Sequence, residues 1–547
     1  MTTFRHYPRT PALIGIMVAG VLLALGLAAM LVLIWADDGR PVFAALELSR
    51  LVYSLKSASY QAALSVIMSL GVAIPASIAL ARRRRWWGMN GFVLIISLAM
   101  VLPTTVAATG LLAVWGRNGL VADWCAYAFG GCELSIYGLH GVVLALMMLN
   151  VPLMMRVFMP LLLAVPSSQW RLAALLGMSR GQRFRHVELP ALISAVPGVS
   201  SLVFLLCFTS FALVLMLGGG PKVTTLEVEI YSAIRFDFDL AAAAGLSLIQ
   251  FACAAVVVAI MAVTSRNTLT QHINASPELS FRKDLNTTDT ILDLLVLCGS
   301  AVLVFLPMVM VALNGFNPGL VKLLSRPQFW SSLGVSLSIS SISAVMVTVL
   351  AFGMAQARAH LALPHRLGGT RFAAAANILL DGGVMLYLVI PSVVLGTASF
   401  IALRHYGDVF ANAFGVVVMA NVLLALPFAV RLLERRLTTV IRQQDRLATM
   451  LGVSGGTRMR VLTLPVLRHD LAVVMGLTAA LSIGDLGVIA LFAHDGFKTL
   501  PWMLYQLQGK YATGEAAGLA LVLMLMTVLM FGAARVIMRL VIGGRYA

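Results

Sequence analysis

Two carboxylates stand alone in long apolar runs of this 547-residue chain: Asp485 within 471–493 and Asp381 within 376–402. An ionisable group inside a membrane-spanning segment is costly and faces either a partner or a water-filled cavity. With Ser482 they are therefore the candidates for lining a path through the protein. Asp485 is the stronger of the two, because Gly484 and Gly487 flank it closely in an otherwise uncharged run. Its other reading is a structural partner for a polar group or backbone of a neighbouring helix. For Asp381, beside Gly382-Gly383, the other reading is a place near the membrane surface. No catalytic set is legible. The nine His form no H-E-x-x-H or other ligand spacing, no Ser, His and Asp set can be assembled, and no metal site is expected. Nothing matches G-x-x-x-x-G-K-[ST], since Gly218-Gly219-Gly220-Pro221-Lys222 lacks the spacing that cradles phosphates. No ATP site is legible on this chain, and no cofactor is expected on it.

A second feature occurs twice. From Arg171 the chain reads RLAALLGMSRGQRFRHVELP to Pro190, and from Arg446 it reads RLATMLGVSGGTRMRVLTLP to Pro465, with 11 of 20 positions identical at an offset of 275. Each copy joins an Ala- and Leu-rich stretch containing Ala173 or Ala448 to Gly177 or Gly452, then to basic positions and a closing Leu-Pro. Small side chains let the backbone of another molecule come close, and the proline interrupts the helix before the next span. The pattern predicts an interfacial helix that couples the membrane part to a partner; a basic amphipathic helix resting on lipid headgroups is the alternative. The same offset pairs Pro152 with Pro427 and Arg156 with Arg431, and nearly the same offset pairs Tyr231 with Tyr505 and Gly245 with Gly518. The chain reads as a duplication.

The elements that must position these residues are membrane spans. Hydrophobic residues make up 60% of the chain and charged ones 11%, against about 25% charged in soluble domains. Twelve apolar runs are long enough to span a bilayer: near 12–35, 60–80, 91–115, 139–163, 196–217 and 240–264 in the first half, and near 290–313, 331–354, 376–402, 409–432, 471–493 and 516–540 in the second. The first is read as a retained anchor, because Ala36-Asp37-Asp38 after it offers no small-residue cleavage pattern. Prolines 103, 152, 391 and 427 fall inside spans, where they kink or open the backbone. Six spans per half place both copies of the repeated loop on one face, which makes the repeats parallel and relates them by a pseudo-two-fold axis along the membrane normal. Two equivalent loops suit a two-fold partner. With both termini cytoplasmic, most of the 39 Lys and Arg fall in inner segments, while Asp37, Asp38, Glu227, Glu229, Asp237 and Asp239 fall in outer loops. The net charge of +17 is then spread over short loops facing anionic lipid, which argues against nucleic acid. Cys207, Cys253 and Cys298 fall in helices, whereas Cys125 and Cys132 share an outer loop where an oxidising compartment permits a disulfide.

The repeated loop resembles the coupling loop of binding-protein-dependent ABC importer permeases of type I, with Ala173 and Ala448, Gly177 and Gly452, and Pro190 and Pro465 on the motif's alanine, glycine and proline. The family's acidic first position is Arg171 and Arg446 here, so docking must differ at that point. Two longer stretches, Leu206 to Pro221 and Ser482-Ile483-Gly484-Asp485 through Pro501, are similar to the fused thiamine and thiamine pyrophosphate permeases; fused ferric-iron permeases share much of the first. The resemblance implies an all-α, MetI-like fold with type-1 transmembrane domains at 57–265 and 332–540. The remaining segments are then 1–56, 266–331 and a tail at 541–547. It further implies an inner-membrane permease that is not itself an enzyme, two copies of an ABC ATPase on the coupling loops, and a periplasmic solute-binding protein at the outer face. An ion-coupled secondary transporter would also have twelve helices in two halves, but has no need of two identical docking loops.

Overall fold

In the computed structural model the described residues are 10–543, apart from 36–41, 44–45, 85, 118, 131–134, 221–222, 265–286, 362–369, 406 and 454. The first half comprises α1 (Thr10–Ile34), α2 (Leu48–Arg82), α3 (Met89–Ala99), α4 (Thr104–Trp115), α5 (Leu120–Phe129), α6 (Leu139–Leu163), α7 (Ser167–Leu175), α8 (Arg180–Arg183), α9 (Leu189–Ile193), α10 (Val196–Phe208), α11 (Phe211–Leu217), α12 (Leu226–Arg235) and α13 (Leu240–Thr264). The second comprises α14 (Thr287–Gly315), α15 (Pro318–Leu324), α16 (Pro327–Leu361), α17 (Thr370–Val389), α18 (Ser392–Arg404), α19 (Ala413–Met450), α20 (Gly455–Arg458), α21 (Leu464–Ile483), α22 (Gly487–Phe492), α23 (Leu500–Gly509) and α24 (Thr513–Met538). Ten helices among the described residues are long and apolar enough to cross a membrane, and twelve if each bent pair counts as one span. In hydrocarbon the backbone must satisfy its own polar groups, so an apolar chain of this kind resolves into helices. It is an all-α, multi-pass membrane protein.

The prolines act unequally. Pro103 and Pro391 stand at the N-caps of α4 and α18 and divide their spans, because the residue before a proline is driven out of the helical region. Pro152 and Pro427 instead lie within the continuous helices α6 and α19.

The duplication is visible in the backbone. A π-helical turn at Phe184–Glu188 is matched by one at Met459–Thr463, and the break after Phe208 by the break after Ile483, all at the offset of 275. The 10-residue α12 and α23 correspond, as do the 35-residue α2 and α16. Each half lends its first long helix to the other: α1 packs on α16, α17 and α18, while α14 packs on α2 and α4. Tyr387 donates its hydroxyl to the Leu22 carbonyl at 2.7 Å within the first of these contacts. A single hydrophobic cluster runs through both halves as a result.

Two departures from the duplication are local. The segment between the fourth span and the repeated loop breaks in the first half, where Pro166 caps α7, but runs on in the second, where Ile441 occupies the equivalent place inside α19. Between α4 and α6 the first half also inserts α5, which carries Cys125.

Candidate functional site

Each half interrupts the span that follows its repeated loop: α10 gives way to α11 at Thr209-Ser210, and α21 to α22 at Gly484-Asp485-Leu486. The offset puts Asp485 in the place of Ser210. Such a break frees backbone N–H groups, and Asp485 takes one of them, its Oδ1 accepting from the Gly487 N–H at 3.1 Å. Its Oδ2 has no hydrogen-bond partner among the described residues. The break lies on the seam between the halves: a Cβ on Gly484 would stand 2.8 Å from the Pro103 Cβ at the head of α4.

From the other side of the seam comes α12, a first-half helix packed on α18 and α22 of the second half. Arg235 at its end donates to the Ala493 carbonyl just beyond α22, at 3.2 Å. Near its start, Glu227 is fully buried, neither carboxylate oxygen has a hydrogen-bond partner among the described residues, and the charge of Asp485 acts on it.

Ser482, one turn below Asp485, accepts a hydrogen bond from the Asn421 Nδ2 at 2.9 Å, joining α21 to α19. Its counterpart Cys207 meets the Asn150 Nδ2 at 3.1 Å, joining α10 to α6. The polar link survives the duplication with the asparagine moved by one helical turn. Asp381 stands apart from these residues. It pairs with Arg358 on α16, which also binds Glu434 on α19 at 3.2 Å, and its side chain is half-exposed. Cys125 is disulfide-bonded; Cys132 lies outside the described residues.

The repeated loops close their helices in the same way. Gly177 and Gly452 adopt φ of 61° and 65°, a left-handed conformation that glycine reaches without a Cβ penalty. The Met178 N–H then returns to the Ala173 carbonyl at 3.0 Å and the Val453 N–H to the Ala448 carbonyl at 2.9 Å, the long bond of a Schellman-type terminus. Ser179 and Gln182 form a reciprocal capping box at the start of α8. The π turn follows, with the Leu189 N–H on the Phe184 carbonyl and the Leu464 N–H on that of Met459. Pro190 and Pro465 come next; they lack the N–H that an α turn would use, and the wider turn accommodates them.

Ala173 and Ala448 are both buried, and Ala173 packs with Val165, Trp170 and Val187 of its own chain. The small side chains thus serve packing within the loops, which differs from the outward approach that the sequence pattern alone predicts. What faces outward is larger: Leu175 is 85% and Met450 84% exposed, and Leu176 and Leu451 are 63% exposed each, all at equivalent positions. Arg171 is exposed beside them, while of Arg446 only the helical backbone is described.

A family profile described as the binding-protein-dependent transport system inner membrane component matches residues 73–270. The thiamine transport system permease protein ThiP of Escherichia coli (strain K12) is 35% identical over 536 residues, 96% of this chain and 97% of its own length. Its namesake in Brucella abortus (strain 2308) is 38% identical over 392 residues, covering 71% of this chain and 70% of its own. That of Haemophilus influenzae is 33% identical, covering 75% and 74%. The chain belongs to the ThiP family.

In this ThiP-family chain several residues of consequence carry no signal in the linear sequence. Glu227 reads there as one acid among several in an outer loop, and only the packing of α12 across the seam brings it to Asp485. The available signal was its spacing of four from Tyr231, one of the duplicated positions. An ion network under the first loop was equally hidden. Arg82 holds both oxygens of Glu188 at 2.8–3.0 Å, Asp293 meets Arg82, Arg83 and Arg180 at 3.1–3.3 Å, and Asp289 meets Arg180 and Arg183 at 3.1–3.4 Å. These partners are about 100 to 200 positions apart.

Proposed function

We propose that this chain is the membrane-spanning permease of an ATP-driven thiamine importer, with both termini in the cytoplasm. Two copies of a separate ABC ATPase bind the repeated loops, and a periplasmic solute-binding protein delivers cargo to the opposite face. The observation that carries the reading is the pair of matched apolar patches, Leu175 with Leu176 and Met450 with Leu451, each displayed beside a left-handed glycine at the equivalent place of its half. Exposed apolar patches of this kind belong to interaction sites. Their duplication at one topological position fits a partner that is itself two-fold. The thiamine assignment comes from the relatives, every one of those described above being a thiamine transport system permease by name.

In this scheme 57–265 and 332–540 act as the two transmembrane domains, Arg171 and Arg446 stand where the docking surfaces begin, and no cofactor or metal is held by the chain itself. Closure of the ATPases shifts the permease from an inward-open to an outward-open arrangement by binding the two differently. Asp485 lines the path at the seam. Asp381, paired with Arg358, holds α16 to α17.

The test is uptake of radiolabelled thiamine by cells without their own thiamine importer, expressing this chain with its ATPase and binding protein. ATP-dependent uptake that needs all three establishes the reading. Uptake of ferric iron without thiamine keeps the architecture and overturns the cargo, and ion-gradient-driven uptake by the chain alone overturns the importer class.

A further inference from the structure

The importer reading leaves open what in the permease itself recognises the cargo. A fully buried carboxylate, Glu227, and a part-buried one, Asp485, share the seam, and three of their four oxygens have no hydrogen-bond partner among the described residues. No Lys or Arg pairs with either of them there. Two such groups in apolar surroundings repel one another when both are ionised, and the arrangement is relieved by a positive charge placed against them.

The surroundings specify what kind of cation. Tyr231 lies four residues after Glu227 and so on the same face of α12. Its duplicate Tyr505, on α23, is near enough to act on it electrostatically, and Arg235 at the end of α12 hydrogen-bonds its hydroxyl. Phe211 stands edge-on to Tyr231 at 5.4 Å between ring centroids, and Trp502 lies 5.4 Å from Tyr505. On α13, which packs antiparallel against α12, Ser247 and Gln250 are fully buried and also lack hydrogen-bond partners among the described residues. Counting back from the α12–α13 turn at about 1.5 Å per residue puts them at the level of Glu227. Aromatic faces with carboxylates are the chemistry that takes a large, weakly hydrated organic cation, whereas a metal ion would call for converging oxygens alone.

We propose that Glu227 and Asp485, one from each half, form with the rings of Tyr231 and Tyr505 a binding site for an organic cation at the seam between the halves. Resting on the thiamine reading above, the site takes the thiazolium end of the cargo, and the uncharged amides and hydroxyls beside it are left for a neutral ring.

The experiment compares thiamine with its neutral thiophene analogue, in which carbon replaces the charged ring nitrogen. Uptake is measured in vesicles holding the full importer, wild type or with E227Q, D485N or both, each normalised to membrane abundance. The expected result is a loss of thiamine uptake of about ten-fold or more in each single variant, the scale of one charge-assisted contact, with little change for the analogue. E227D is expected to restore most of the thiamine uptake. Equal losses for both compounds, or a double variant that transports thiamine as wild type does, overturn the site. Should the wild type import neither compound, the thiamine reading fails, and the site is decided by equilibrium binding of radiolabelled tetraethylammonium to the full chain in nanodiscs. Binding that E227Q/D485N abolishes upholds it, and binding that is absent or unchanged overturns it.

Discussion

Arg82 and Glu188 offer a quantitative test of how the first repeated loop is held. Their side chains are 5% and 0% exposed, and among the described residues Arg82 supplies every hydrogen bond found for the Glu188 carboxylate. Breaking a buried pair leaves an uncompensated charge and costs about 3–5 kcal/mol, whereas replacing both members by apolar residues of similar size is often neutral. The two single variants should differ. R82M strands Glu188 without a partner and belongs at the upper end, about 5 kcal/mol. E188L leaves Arg82 with Asp293 at 3.3 Å and belongs at the lower end, about 3 kcal/mol. In the double variant Asp293 keeps Arg83 and Arg180, so its cost should fall below that of either single change. The assay is unfolding of the nanodisc-embedded chain by denaturant, with a double-mutant cycle to extract the coupling. Additive losses, or E188L worse than R82M, would refute the reasoning.

Substituting Ala for Gly177 or Gly452 puts a Cβ on a left-handed residue at a cost of about 1–2 kcal/mol; ATP-dependent uptake is expected to fall while membrane abundance holds, as read by transport and quantitative blotting side by side. G484V pushes side-chain atoms into Pro103, whose Cβ stands 2.8 Å from the position of a Cβ at 484. The halves must shift at the seam, so crosslinking across it is expected to change and transport to drop; wild-type transport would show that the close approach is incidental.

Much of the fold is written in hydropathy. The fourth and sixth spans end where the apolar runs do, at 139–163 and 240–264, because a helix in lipid has little freedom to stop elsewhere. The breaks were legible only in part: Pro103 and Pro391 announce theirs, while the interruption at Gly484 carries no proline. The repeated loops were located by identity between copies, yet the direction in which each residue faces was not, and Ala173 turned inward once Trp170 and Val187 packed on it. Asp381 and Asp485 look alike in sequence, each an isolated acid in an apolar run. They part in the fold because α16 brings Arg358 to the first, while the second faces a seam where no Arg or Lys pairs with it among the described residues.

Fusion of the two halves into one chain has a physical consequence at that seam. Asp485 has Ser210 as its counterpart, and Glu227 has Pro501, so each half contributes one acid at non-equivalent places. Two identical copies of either half would present two acids of one kind, related by the axis. The fused chain instead sets one carboxylate in the α21–α22 break against one on α12, with the duplicated Tyr231 and Tyr505 in the same neighbourhood. A cargo with one charged and one neutral ring has no two-fold symmetry, and a symmetric site would bind it in two opposed orientations. The unequal acids remove that degeneracy. The same divergence reaches the loops: at the offset of 275 Glu188 is replaced by Thr463, and Arg82 falls on Ala357 in α16. Only the first loop is therefore anchored through this Arg–Glu pair. Movement of that loop is transmitted directly to α2 and, through Asp289 and Asp293, to α14, whereas the second loop moves with the unbroken α19.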